Sequence, residues 1–165
     1  MSALLKRIGT DGRIRHVRDR TYLEWRFQNP LSRYGFLLSD DRGLDGYLVL
    51  QEYTSAFADP ARLNVVDWEA TSMPALERLL EAACRLAGHR KQLFTWTATL
   101  SPEKLALLAK RRFREEKEEG AGQQKNSVLV RALAKDRPAR DWVLAGKPLT
   151  DLTEWDLRML YSMHG

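Results

Sequence analysis

The sequence predicts an α/β (α+β) fold: a mixed, mostly antiparallel central sheet of about six strands with helices on both faces. Three observations predict it. Apolar residues recur with period two in some short runs and with helical spacing in others, and the two periods alternate along the chain. Paired strand-like runs joined by turn residues stand at both ends of the central region, which implies hairpins. Between them, helical segments link successive strand-like runs, as crossovers within a mixed sheet do.

Each element has its own signal. Asp19 to Phe27 places Leu23 and Phe27 four residues apart, with Tyr22 and Trp25 adding apolar bulk. This predicts a short helix that ends before Asn29-Pro30, because proline disfavours helical geometry in the residue before it. Tyr34 to Leu38 is a run of strand formers closed by Asp40-Asp41-Arg42-Gly43, and Gly46 to Tyr53 resumes the strand pattern, which together predict an antiparallel hairpin. After Asp59-Pro60, Leu63 to Ala70 predicts a third strand. Strict alternation would put Val66, Trp68 and Ala70 on one face and Leu63, Val65, Asp67 and Glu69 on the other.

The strongest local signal is the helix that follows. Leu76, Leu79, Leu80, Ala83, Cys84 and Ala87 recur at helical spacing, with Glu77, Arg78, Glu81 and Arg85 outward and Gly88 as the stop. Gln92 to Thr99 predicts another strand, and Ser101-Pro102 starts a second helix with Ser101 as cap and Leu105, Leu108 and Ala109 inward. Phe113 to Glu118 and Ser127 to Leu133 predict a last hairpin across a turn holding Gly120 and Gly122. In the tail, Leu152, Trp155 and Met159 fall on one helical stripe after Thr150-Asp151, predicting a short amphipathic helix that docks on a partner or second copy, as in a homodimer, or folds back on the sheet.

A chain of 165 residues has the size of one ordinary domain. It divides into a basic N-terminal segment at 1–20, a folded domain at 21–133 and a tail at 134–165. With 44% hydrophobic and 30% charged residues and no biased tract, the composition is that of a soluble globular protein. Cys84 is the sole cysteine, so no internal disulfide forms, and no membrane-length or signal-like apolar run is present. These features predict a cytoplasmic protein with no membrane attachment. Net charge is +5, and residues 1–20 carry six cations against Asp11 and Asp19. A basic arm suits nucleic acid, an anionic surface or an acidic partner, or is simply a solvated face. Without interleaved aromatics or a nucleic-acid motif, nucleic acid is not the expected partner. His16, His89 and His164 are scattered, so no metal site is expected.

Hairpin, central strand, long helix, strand, helix, hairpin is also the element order of the GNAT acyltransferase fold, which the chain resembles over about residues 20 to 133. "YLEWRFQNPLSRYGFLL" (22–38) is similar to the Leu-x-Trp-Arg segment that precedes a proline and a strand in a bacterial GNAT-like subgroup. "LALLAKRRF" (105–113) resembles the second crossover helix, with Arg112 where glycine is usual.

The resemblance implies a transferase that moves an acetyl or longer acyl group from acyl-CoA to an amine on a small molecule or protein. Trp68 and Ala70 would line the strand edge that pairs with the pantetheine arm, and Thr71, Ser72, Met73, Ala75 and Leu76 would present the diphosphate with the amides of a helix start. The family loop reads Gln/Arg-x-x-Gly-x-Gly/Ala; here Glu69-Ala70-Thr71-Ser72-Met73-Pro74-Ala75 lacks its glycines and its basic residue. Thr71 or Ser72 would cap the helix. Glu69, with Asp67 second, is the candidate base, working near neutral pH if its surroundings raise its pKa; the alternative is a solvated carboxylate or one paired with arginines. On the base reading, Glu69→Gln abolishes turnover and leaves folding largely intact. Leu108 stands where many members carry the proton-donating tyrosine. The missing glycines, loop cation and tyrosine equally fit a domain that no longer catalyses and serves in binding or assembly.

Overall fold

A computed structural model describes residues 1–9, 11–53, 62–89, 91–115 and 142–159. Its centre is a four-stranded sheet of order β1-β2-β3-β4, built from β1 (Ser32–Asp40), β2 (Leu44–Tyr53), β3 (Arg62–Ala70) and β4 (Gln92–Phe94). The first three are antiparallel neighbours and β4 runs parallel to β3. The class is therefore the expected mixed α+β one, with four strands in the sheet among the described residues where about six were expected. Val143–Leu144 and Lys147–Pro148 (β5 and β6) form a separate two-stranded hairpin that the sequence pattern did not signal. The expected last hairpin falls mostly outside the described residues; Phe113 to Glu115, within them, is not a strand.

Helices cover both faces of the sheet. On one lie α3 (Met73–Ala87) and α4 (Pro102–Lys110), whose Leu76, Leu79, Leu80, Leu107 and Leu108 pack with Leu48, Leu50, Leu63, Val65 and Trp68, while Leu105 and Ala109, expected inward, are exposed. On the other lie α1 (Ser2–Ile8) and α2 (Arg20–Arg26), where Leu4 and Leu23 join Tyr47, Val49 and Val66. Ser101 caps α4 as expected, accepting from Lys104, and Ser72 rather than Thr71 caps α3, accepting from Ala75; Asp19, which the sequence reading did not single out as a cap, accepts from the Tyr22 amide at the start of α2. Gly88 closes α3 at φ 58°, a left-handed position that glycine adopts without strain.

The face assignment along β3 needs correction. Val49 pairs with Asp67 and Leu50 with Val65, so Val66 is an extra residue in the ladder, a β-bulge. The bulge puts Val66 on the same side as Asp67 and Glu69, with Tyr47 and Val49, while Leu63, Val65 and Trp68 pack against α3. Asp67 and Glu69 do share a face, but it is neither the face of Leu63 and Val65 nor solvated.

Two further expectations change. β4 ends at Phe94 instead of running to Thr99. The tail forms a single 3₁₀ turn at Leu152–Glu154, capped by Asp151, and then extends, with Trp155 bridged to Ile14 in parallel. An extended chain lets Asp156 and Arg158 both enter the interior, which a helix would place on different sides. The basic N-terminal segment is only in part a solvated face: Lys6, Arg7 and Arg20 are exposed, but α1 packs on the sheet and Arg18 is buried.

Candidate functional site

β3 and β4 are joined by α3 and pair through Arg62–Gln92, Leu63–Leu93 and Asn64–Phe94 only. Beyond that point β4 ends. The Thr95 hydroxyl donates to the Val65 carbonyl (3.1 Å), and no strand among the described residues continues the ladder along Val65–Ala70. The edge of β3 left unpaired among the described residues, next to a helix start, is the place where a ligand could enter this sheet, so what covers it decides the chemistry.

Charge from four parts of the chain gathers at this edge. Arg18 donates to Asp67 Oδ1 (2.7 Å) and to Glu69 Oε1 (3.0 Å). Arg158, from the extended tail, donates to Glu69 Oε1 (2.7 Å), Asp156 Oδ2 (3.1 Å) and the Trp68 carbonyl (3.3 Å). Its Nε stands 2.9 Å from Asp156 Oδ1, an ionic contact without hydrogen-bond alignment. Lys104 of α4 reaches Glu69 Oε2 (3.2 Å) with its ammonium 5.6 Å from the centre of the Trp68 ring. The Tyr47 hydroxyl donates to Asp67 Oδ2 (2.7 Å). Three cations, Arg18, Arg158 and Lys104, thus meet three carboxylates, Asp67, Glu69 and Asp156.

Burial makes this balance matter. The side chains of Arg18 and Arg158 are 3% exposed, Asp67 0% and Glu69 8%. Burial alone pushes the Glu69 carboxyl up, but Arg158, Lys104 and Arg18 outweigh it and hold the group at about 2. Burial likewise lowers Arg158, yet Glu69, Asp156 and Asp67 raise it overall. Burial, with the charge of Asp67, raises Tyr47 and keeps it a neutral donor. The expected raised pKa of Glu69 is therefore reversed. Carboxylates held this far down are ionised but weak bases, because three cations already stabilise the charge a proton would remove.

The tail is pinned to the same place by its backbone. Ile14 donates to the Glu154 carbonyl (2.7 Å), Asp156 donates to that of Ile14 (2.8 Å), and the Thr99 hydroxyl both accepts from Leu157 (2.8 Å) and donates to its carbonyl (3.1 Å). Arg13 and Arg15 approach Asp156 at 3.8 and 3.9 Å from outside.

The residues expected to hold a cofactor lie as follows. Trp68 is buried, and its carbonyl, which would sit on the pantetheine edge, accepts from Arg158. Ala70 pairs with Gly46, Ala75 and Leu76 are core, and Thr71, Ser72 and Met73 are exposed at the start of α3. Of the amides from Thr71 to Leu76, Thr71 donates to the Asp45 carbonyl (2.8 Å), Ala75 to Ser72 Oγ (3.4 Å) and Leu76 to the Ser72 carbonyl (3.1 Å). Pro74 has no N–H. Ser72 and Met73 alone remain to face an anion. Leu108, at the tyrosine position of the resemblance, is core.

Two cavities open elsewhere. One of about 530 Å³ is lined by Arg7, Asp41, Arg42, Asp45 and Thr71, its two cations matched by two acids. The other, of about 480 Å³, lies between α1, residues 12–19 and the β5–β6 hairpin; Arg13, Arg15, Arg18 and Lys147 on its wall are engaged with Asp11, Asp156, Asp67 and Glu154. Among the described residues no group of three metal-type side chains converges, and no helix is long and apolar enough to cross a membrane.

Sequence reasoning placed Asp67 and Glu69 together but missed Arg18, Lys104, Asp156 and Arg158. A pair of buried acids on one strand face calls for buried cations, and the charged alternation of Asp156 and Arg158 inside an apolar stripe was the signal for one of them. No protein-family model matches the chain, and no curated protein matches it.

Proposed function

We propose that the chain is a GNAT-like domain whose acyl-CoA cleft has been converted into an internal ionic lock, and that it serves in binding or assembly without acyl transfer. One observation carries the reading: Arg158 occupies the Trp68 carbonyl and, with Arg18 and Lys104, neutralises Glu69 at the edge of β3 beyond its pairing with β4. A pantetheine amide would have to displace a buried, hydrogen-bonded guanidinium, and doing so leaves Glu69 and Asp156 short of a cation. At the helix start two amides without a glycine or loop cation offer a diphosphate little. Calorimetric titration with acetyl-CoA tests the reading. No heat and no rise in melting temperature at millimolar cofactor are expected, since a ligand that binds only the folded state must stabilise it; a saturable isotherm overturns it.

A second reading, acyl transfer from acetyl-CoA or a longer acyl-CoA to an amine acceptor, is favoured by the end of the β3–β4 ladder at Asn64–Phe94, which leaves the rest of that edge of β3 unpaired among the described residues. It requires the tail to withdraw and Glu69 to regain basicity. Turnover with amine acceptors that disappears in Glu69→Gln supports it.

A further inference from the structure

We infer that the outer edge of β1 pairs with β1 of a second copy of this chain, joining two four-stranded sheets into one of eight strands. β1 is nine residues long and hydrogen-bonds to β2 on one side only; among the described residues nothing pairs with its other edge. Long edge strands are templates for another strand unless bulges, prolines or inward charges blunt them. Along β1 there is no proline, and the one register shift lies at its end, between Ser39 and Asp40. Large apolar side chains stand exposed along this strand: Phe36 is 45% exposed and Leu38 60%.

The partner is a second copy because the strand is complementary to itself. Only one antiparallel register pairs all nine residues with all nine, and its two-fold axis passes through Phe36. On the face shared with α2 it sets Phe36 against Phe36 and Tyr34 against Leu38 twice, an unbroken apolar row of the cross-strand pairs that stabilise sheets. Phe27, 4.9 Å from Phe36 edge-on, backs that row in each copy. At each end of the ladder Arg33 of one copy stands opposite Ser39 of the other and Ser32 opposite Asp40, so no like charges face each other. Symmetric pairing of identical patches is the commonest route to a closed dimer.

Light scattering with size-exclusion chromatography is expected to give twice the 19.0 kDa chain mass. Leu38→Lys, at a solvent-facing position, should give a monomer with an unchanged circular dichroism spectrum, and Phe36→Lys, which opposes two ammonium groups on the axis, should do the same. In a Cys84→Ala background the register is read directly. In Phe36→Cys the two introduced thiols meet on the axis, with Cα atoms about 4.5–5.5 Å apart, inside the range a disulfide spans. In Leu38→Cys the two thiols sit four residues apart along the ladder, about 13 Å, and cannot join. Disulfide dimer from Phe36→Cys and none from Leu38→Cys is the expected result. A monomer at all concentrations, including one that binds a foreign strand instead, overturns the inference, as does a dimer that survives both lysine substitutions or cross-links equally from both cysteine substitutions.

Discussion

Replacing Glu69 with Gln separates the ionic lock from a catalytic base. The amide preserves shape but removes one of three carboxylates facing Arg18, Arg158 and Lys104, leaving a buried excess of one positive charge. A carboxyl held at about 2 rather than 4.5 stabilises the fold at neutral pH by about 3 kcal/mol, at roughly 1.4 kcal/mol per tenfold change in proton affinity. Removing one partner from a buried ion pair costs about 3–5 kcal/mol in general, so two independent routes agree. With a urea slope of about 2 kcal/mol per molar, the unfolding midpoint should fall by about 1.5 M. The pH dependence fixes the sign. Glu69 is depressed in the folded state, so its contribution is present above about 4.5 and is lost as pH falls towards 2. Wild type should therefore converge on Glu69→Gln through that window, since glutamine has nothing to titrate. Equal midpoints at neutral pH, or a gap that stays constant into acid, refutes the reasoning.

Other substitutions probe neighbouring steps. Arg158→Met strands Glu69 and Asp156 and leaves the Trp68 carbonyl without its donor; a loss of about 3–5 kcal/mol is expected in chemical unfolding. Arg158→Lys should not restore it, because one ammonium cannot span three acceptors as a guanidinium does. Gly46→Ala would place a methyl 2.9 Å from both Ala70 Cβ and Leu79 Cδ1, so about 1–3 kcal/mol of overpacking should appear as a lower melting temperature. Tyr47 is raised above its ordinary 10.0 in the fold, so stability should fall as pH rises beyond that value, with phenolate absorbance of this residue appearing only on unfolding.

Much of the architecture was legible because local chemistry and tertiary packing agree. The α3 stripe from Leu76 to Ala87, the Ser72 and Ser101 caps and the hairpin turn after Asp40 are each decided within a few residues. What escaped depends on distant partners. The Val66 bulge is set by its pairing with β2 and leaves no local trace, so strict alternation misassigned Leu63, Val65 and Val66. In the tail, a helical stripe of Leu152, Trp155 and Met159 competed with period-two placement of Asp156 and Arg158, and the buried charges won because Glu69 and the Trp68 carbonyl lie within reach of an extended chain. Asp67 and Glu69 could be paired from sequence since they sit two apart on one strand; Arg18 lies 51 residues from Glu69 and Arg158 lies 89, separations no spacing rule bridges.

The most direct measurement is a carbon NMR titration of the Glu69 side-chain carboxyl in the folded protein. A lock built by Arg18, Lys104 and Arg158 predicts a flat chemical shift from neutral pH down through 4.5, with a midpoint only near 2. A midpoint at or above 4.5 would contradict it and return Glu69 to the role of a base.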